Sequence, residues 1–544
     1  MHNSWRRLAY FALVPGLAAG CGDSSSSNPA GQGGSVVAQT GGTSNGVTGG
    51  TGPSGATGGS AQTTGGGSAL GGSPGATGGV VGTGGSQPPG GSTATGGVGT
   101  SGGSSSSGGS SGGVTSTGGS GGTPVGGASG KGGSAGASSG GTAGGSAGGA
   151  GPDLSEEIYD PTKLPRFDID LPQASIDALN MVKNAEDPLQ DTYVTATLHY
   201  GAETITNIGL RIKGEGSFQK LDRKPPLKLK FDAFVDKQEF RGLRRLALNN
   251  LFEDPSFIAE RLAYDVYRAA GVPAPRCNNA LVYINGTFYG VYANVEAEDK
   301  TFLKRWFPTD GGNLYEEGQK DFVPGAETAF DLETNETAND RTDMKNLIAA
   351  IQGATNTATF LTDIGGLLNT DNYLKFTAVE AAVNQWDMYS YTVFYVNNLR
   401  LYDDPTSKKF NFIPWGHDLS MKPFRDSGKP YIKLFALAHQ GDAASGKVTS
   451  GLIFQRCLTS PACKAAYSDA VRAVIKVWEG LGMEAAATRY YNQIKSQVYM
   501  DTRKNVCCNN PPTLSNQAFE TGYQSVLTTI RGRVAALQAD LTAG

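Results

Sequence analysis

The sequence predicts an α+β fold in two lobes, strand-rich first and helical last, behind a long disordered tether. Two observations carry this. Composition breaks sharply near residue 152, with most of the 79 glycines before it and nearly all the aromatic residues after it. Beyond the break, β-type alternation comes first and long helical periodicity comes last.

The first segment is a leader. Arg6 and Arg7 precede an apolar stretch, 8–17, interrupted only by Pro15 and Gly16, and Ala18, Ala19 and Gly20 lead into Cys21. A bilayer crossing needs about 20 apolar residues, so the segment reads as a signal peptide. It resembles a bacterial lipobox, in which the cysteine is lipidated, although Leu17 stands four residues before Cys21 where that pattern prefers three. Secretory cleavage with Cys21 incidental is the alternative. Gly22 follows rather than Asp, so the Asp-based inner-membrane retention signal is absent. An exported protein held by lipid alone, at the outer membrane or cell surface, is expected.

Residues 22–152 are almost entirely Gly, Ser, Thr and Ala, with Lys131 and Asp23 charged and no aromatic residue. Such a segment buries too little apolar surface to offset its ordering entropy and is expected to be disordered. At about 130 residues its r.m.s. reach is about 60 Å, enough to carry a domain clear of a membrane surface. The rest, 153–544, exceeds the usual size of a single core, so one large domain with insertions or two lobes is expected. A net charge of −4 does not suit nucleic-acid binding, and no nucleic-acid partner is expected.

Cysteine usage fits export. Cys277, Cys457, Cys463, Cys507 and Cys508 remain once Cys21 is set aside. Cys457 and Cys463 flank a short loop they could bridge, or either could pair with Cys507 or Cys508. Structural disulfides are expected over a zinc site, because no histidine lies near these cysteines.

Within the domain, 166–231 reads as strands, clearest at 192–200, 208–213 and 227–231. A helix is expected over 257–270, with Asp254 or Ser256 as N-cap and Gly271, Pro273 and Pro275 as its stop. Runs 280–284 and 287–295 flank Asn285-Gly286, the strongest hairpin signal in the chain. Helices are expected at 297–307 and 371–387, then strands at 393–402 and 409–415. Amphipathic helices at 465–479, 483–498 and 516–541 close the chain.

Several stretches then point to one family. They are Gly209-Leu-Arg-Ile-Lys-Gly-Glu-Gly-Ser217, Lys224-Pro-Pro-Leu-Lys-Leu-Lys-Phe231, Phe240-Arg-Gly-Leu-Arg-Arg-Leu-Ala-Leu-Asn-Asn250, Gly271-Val-Pro-Ala-Pro275, Tyr283-Ile-Asn-Gly286 and Gly290-Val-Tyr-Ala-Asn-Val-Glu296. Trp386-Asp387, Asn398-Leu-Arg-Leu-Tyr402 and Phe412-Ile-Pro-Trp-Gly-His-Asp418 follow in order. Together they resemble the spore-coat protein H (CotH) family of atypical protein kinases, over about residues 165–425, with 426–544 as a helical C-terminal region. The resemblance implies a divergent protein-kinase-like two-lobed fold that transfers phosphate from ATP, with Mg²⁺ or Mn²⁺, to Ser or Thr hydroxyls of exported or surface proteins.

The same resemblance assigns residues. Asp387 matches the catalytic aspartate, which would orient the attacking hydroxyl and take its proton. Asp418 matches a metal-binding aspartate, although Gly416 replaces the first acid of the family's Trp-Asp-x-Asp pattern. Asn398 matches a metal-binding asparagine, but stands eleven residues after Asp387, with Thr392 at the five-residue kinase spacing. His417 is a poor magnesium ligand and either orients a neighbour or packs. Lys228 or Lys230 is the candidate phosphate-binding cation, the alternative being a solvated strand face. Glu296, with Glu260 as competitor, would pair with that lysine or bind metal. Gly214, Gly216 and Ser217 are candidates for a phosphate-covering turn. A catalytically silent surface module of the envelope is the other reading.

Overall fold

The computed structural model describes residues 153–392, 396–423, 431–435, 450–504 and 514–544. The expected leader, Cys21, the tether, Cys507 and Cys508 lie outside the described residues, as do 393–395 of the strand expected at 393–402. The architecture is α+β, as the periodicities predict.

A short helix α1 (Glu156–Tyr159) opens the domain, followed by β1 (Arg166–Asp170), α2 (Gln173–Met181), β2 (Val194–Tyr200), β3 (Glu203–Ile212), β4 (Leu227–Lys230) and β5 (Arg245–Asn249). Next come α3 (Ala259–Ala269) and the hairpin β6 (Cys277–Ile284) and β7 (Thr287–Glu296). The seven strands close a barrel in the order β1-β2-β3-β4-β5-β7-β6, with β6 and β1 parallel across the seam. Phe167, Leu198, Leu210, Leu229, Leu248 and Val282 belong to its interior core. Asn285 and Gly286 turn the hairpin at φ +48° and +74°, with Ile284 opposite Thr287, as that dipeptide predicts.

Strand alternation sets the outer wall. Leu227 and Leu229 point into the barrel, so Lys228 and Lys230 point out. Arg211 stands opposite Lys228, Lys228 opposite Ala247, and Ala247 opposite Val295. Ala247 and Val295 belong to the second, larger core, so this wall faces the helical part.

That part begins with α4 (Lys300–Trp306), β8 (Leu314–Glu316), β9 (Asp331–Leu332), α5 (Thr342–Gly353), α6 (Phe360–Ile364) and α7 (Thr370–Ala382). The strands β10 (Leu399–Asp404) and β11 (Lys409–Pro414) complete a sheet in the order β11-β10-β8-β9. The chain finishes with α8 (Leu452–Thr459), α9 (Pro461–Leu481), α10 (Met483–Met500) and α11 (Asn516–Ala543). Ten of α7's residues are buried. Among the described residues, no helix is long and apolar enough to cross a membrane.

Several boundaries differ from expectation. The 166–231 region contains α2, which lies on β2 and donates from Ser175 Oγ to the Thr195 carbonyl at 2.7 Å. Helix α3 starts at Ala259, because Phe257 adopts φ +62°, yet Asp254 Oδ2 still accepts from the Ala259 N–H at 2.8 Å. Helix α7 stops at Ala382 rather than 387, because Asn384 turns left-handed at φ +57° and its amide is bonded to the Lys422 carbonyl. The stretches β5, β8, β9, α5, α6 and α8 carry no separate periodic signal and are seen only in the structure.

Cys457 is disulfide-bonded to Cys463, with Cα atoms 5.0 Å apart, while Cys277 is a free, buried thiol. Of the alternatives open from sequence, the short loop is the one bridged.

A second long-range tie joins barrel to helices. Lys224 Nζ donates to Asp501 Oδ2 at 2.7 Å, both side chains being 1% exposed. Gly290 makes room for it, since a Cβ there would stand 2.1 Å from Asp501 Oδ2. Asp501→Ala leaves a buried ammonium unpaired and should destabilise the fold by about 3–5 kcal/mol in urea denaturation. The double variant Lys224→Met/Asp501→Leu should recover most of that loss; recovery of none would refute the assignment of the penalty to an uncompensated charge.

Candidate functional site

The candidate site forms where the barrel's outer wall meets the loops after α7 and β11. Alternation along β3 carries Arg211, and then Lys213 just beyond the strand, onto that wall. Gly214 turns the chain at φ +90°, and a Cβ there would lie 2.6 Å from Ser217 Oγ. The Gly214 carbonyl accepts from Gln190 Nε2 at 2.7 Å, and Asn250 Nδ2 donates to the Ser217 and Lys224 carbonyls at 2.9 Å each. Gly214, Gly216 and Ser217 therefore lie in a bonded turn directly after Lys213.

Glu260 sits in the first turn of α3, 1% exposed. Its Oε1 accepts from Asn249 Nδ2 at 2.9 Å, and its Oε2 is buried without a hydrogen-bond partner. Burial and the Asp418 charge push this carboxyl up, while Lys213 draws it down. Burial pushes Lys213 down in turn, against the pull of Glu260 and Asp418. Lys213, Glu260 and Asp418 thus form one electrostatic unit.

Asp387 lies in the loop after α7. Gln385 Oε1 accepts from the N–H groups of Trp386 and Asp387 at 3.0 and 3.3 Å, shaping that loop. Asn398 Nδ2 donates to the Asp387 carbonyl at 2.7 Å and to its Oδ2 at 3.0 Å, and Asn397 Nδ2 donates to the same Oδ2 at 3.2 Å. A bridge between Asp387 and Thr392 folds part of the intervening chain back on itself. The eleven-residue separation therefore closes in space, and Asn398 touches Asp387. Burial, then Glu253 and Asp418, push the Asp387 carboxyl up to about 8, opposed by the two asparagine amides.

Gly416 explains its own departure from the family pattern. It adopts φ +65°, and a Cβ would fall 2.6 Å from Asn398 Oδ1. Its carbonyl accepts from Gln385 Nε2 at 2.8 Å, so glycine here lets the Asn398 and Asp387 loops close together. His417 is a packing residue. Its ring lies 4.8 and 4.9 Å from those of Tyr264 and Tyr267, and burial lowers it to about 3, so it is neutral. Asp418 is raised by burial, opposed by Lys422 and Lys213.

The remaining sequence candidates lie elsewhere. Lys228 faces outward across from Arg211, and burial together with Arg211 lowers it to about 8 against the pull of Glu333. Lys230 stands opposite Arg245, with Nζ 6.0 Å from the Tyr193 ring centre. Glu296 meets neither lysine. It is paired with Arg276 at 2.9 Å and with Arg305, and accepts from the Arg276 N–H at 3.0 Å. Strand parity is the reason: Val295 shares the face of Lys228, so Glu296 turns to the other. The competitor Glu260 is the acid whose charge acts on a lysine, and that lysine is Lys213. Its signal was present as the basic residue closing an alternating strand just before Gly214.

The model of the CotH kinase protein family matches residues 210–537, more than half of the chain. The chain belongs to this family. It is also 25% identical over 197 residues to the inner spore coat protein H of Bacillus subtilis (strain 168). That match covers 34% of this chain and 52% of the relative, so the chain spans about half the length of the curated relative it matches.

Chemically, the junction offers a carboxylate held by two amides, a second carboxylate under the charge of two lysines, and a glutamate and a lysine whose charges act on each other. Among the described residues, no group of three or more His, Cys, Asp or Glu is arranged to hold a metal. Asp418 and the Asn398 amide are oxygen donors of the kind Mg²⁺ prefers. Such a pair suits an ion held mainly by phosphate and water.

Because burial raises Asp387, the unfolded chain loses this proton at lower pH than the folded one. The site therefore withdraws stability as pH rises from about 4 to about 8. Asp387→Asn removes that loss, so the variant's melting temperature relative to wild type should climb by roughly 1–3 °C across this interval. Calorimetry at pH 4, 6 and 8 checks it; a pH-independent difference would refute it.

Proposed function

We propose that this CotH family member is an ATP-dependent protein kinase acting on Ser or Thr hydroxyls of exported or surface proteins. On this reading the barrel and the helical part are the two lobes of a divergent protein-kinase-like fold. The observation that carries it is the convergence of Lys213–Glu260 with Asp387, Asn398 and Asp418 at one junction. Export through the leader, with a lipid anchor at Cys21, accords with a relative named for a spore coat.

Each residue has a role on this reading. Lys213, whose charge Glu260 favours, would face the nucleotide phosphates beneath the Gly214–Ser217 turn, taking the role expected of Lys228 or Lys230. Asp418 and Asn398 would hold Mg²⁺ or Mn²⁺, which supplies charge neutralisation to the phosphates. Asp387 orients the acceptor hydroxyl and takes its proton. The bond from the γ-phosphorus to the bridging oxygen breaks, its electrons leaving with ADP, as the bond to the acceptor oxygen forms. Asn397 and Asn398 keep Asp387 oriented, and a cation binding beside it favours its ionised form.

A silent surface module is the second reading, favoured by Gly416 in place of an acid. One assay separates them. The full chain should be stabilised by millimolar ATP with Mg²⁺ and incorporate labelled phosphate into a Ser/Thr protein substrate. Asp387→Ala should lower kcat on the order of 10²–10⁴-fold, and Lys213→Met should lower kcat/KM on the order of 10²-fold. Wild type showing neither stabilisation nor incorporation would leave the binding-module reading.

A further inference from the structure

Helix α7 leads into the Asp387 loop, and two of its side chains hold that loop from beneath. Thr377 and Glu380 lie three residues apart on one face of α7, and both are fully buried. The Glu380 carboxylate accepts from the chain just beyond Asp387. Its Oε1 takes the Tyr391 N–H at 2.7 Å and the Ser390 N–H at 2.9 Å, and its Oε2 lies 3.2 Å from the Ser390 nitrogen. The hydroxyls of Thr377 and Ser390 are bonded at 2.9 Å. Burial pushes the Glu380 carboxyl up to about 8, and the groups that draw it back all belong to this turn: the Tyr391 N–H and the Ser390 hydroxyl and N–H.

Residues 388–391 form a short turn closed by the bridge between Asp387 and Thr392, with the Met388 N–H donating to the Tyr391 carbonyl at 3.4 Å. Asp387 is therefore the first residue of a small hairpin whose tip is fastened to α7. The asparagine side hangs on the same turn. The Asn397 N–H donates to the Met388 carbonyl at 3.3 Å, while the Asn397 and Asn398 amides donate to Asp387. Ser390 and Tyr391 are buried, so losing their acceptor leaves two N–H groups unpaired in the core. A turn that shifts to satisfy them carries Asp387 and its orienting amides with it.

We propose that Glu380, with Thr377 beside it, is a positioning residue for the transfer: it pins the turn at 388–391 to α7 and so sets where Asp387 meets the acceptor hydroxyl. This rests on the phosphoryl-transfer reading above and adds a residue to it. Glu380 touches neither nucleotide nor acceptor on that reading, so its loss falls on kcat rather than on nucleotide affinity. The bond pattern also specifies the replacement that serves. Because Oε1 accepts from both N–H groups, a glutamine oxygen in its place keeps both bonds.

The test uses the full chain with Glu380→Met, Glu380→Gln and Thr377→Val. Glu380→Met should lower kcat about 10²-fold, with the KM for ATP within about threefold of wild type. Glu380→Gln should restore kcat to within about threefold of wild type. Hydrogen exchange over residues 386–392 should quicken about tenfold or more in Glu380→Met and stay near wild type in Glu380→Gln, a readout that needs no kinase activity. Wild-type kcat or wild-type exchange in Glu380→Met would overturn the positioning role and leave the kinase reading intact, as would an equal kcat loss in Glu380→Gln. A wild type that incorporates no phosphate, with exchange still responding in Glu380→Met, would overturn the kinase reading and mark the anchor as structural only. Should Glu380→Met not fold, Thr377→Val decides: a kcat about fivefold lower at unchanged KM supports the role, and a wild-type kcat overturns it.

Discussion

Carboxylates gathered where a barrel wall meets a helical core must be reconciled with burial, and the architecture around this site does so. Asp387, Asp418 and Glu260 are all raised by burial, and the Asp418 charge raises the other two further. Lys213 and Lys422 oppose that cost by charge, and Asn249, Asn397 and Asn398 oppose it by hydrogen bonding. Such a cluster is stable only if the elements that carry it are held in register.

Register comes from the barrel. Strand alternation sends one set of residues into an apolar interior and the other onto a wall shared with the helices. That parity places Lys213 at the junction and turns Glu296 away into its arginine pairs. The Lys224–Asp501 pair fixes the segment leading into β4 to the end of α10, and Asn250 ties the same backbone to the Gly214–Ser217 turn. Barrel, turn and C-terminal helices are thus mechanically continuous with the site.

Much of this was readable from residues alone. The α+β class, the Asn285-Gly286 hairpin and the three C-terminal helices follow from local periodicity and turn chemistry. Periodicity was blind to elements whose burial on several sides erases alternation, such as β5, and to a helix end set by a distant partner, as at Asn384. Among the candidate residues, Asp387, Asn398 and Asp418 were singled out by motif order. Lys213 was not, because its place on the wall depends on strand parity within the barrel.

The sequence by itself determined that a Gly/Ser/Thr-rich segment precedes one mixed domain, and it identified the family through ordered motifs. Composition and short-range pattern are local properties, so no fold was needed to read them. Only the tertiary structure decided which lysine's charge acts on Glu260, that Cys457 bridges to Cys463, and how Asn398 reaches Asp387 across eleven residues. Each of those depends on which face of a strand or which side of a turn a residue occupies, and packing alone settles that.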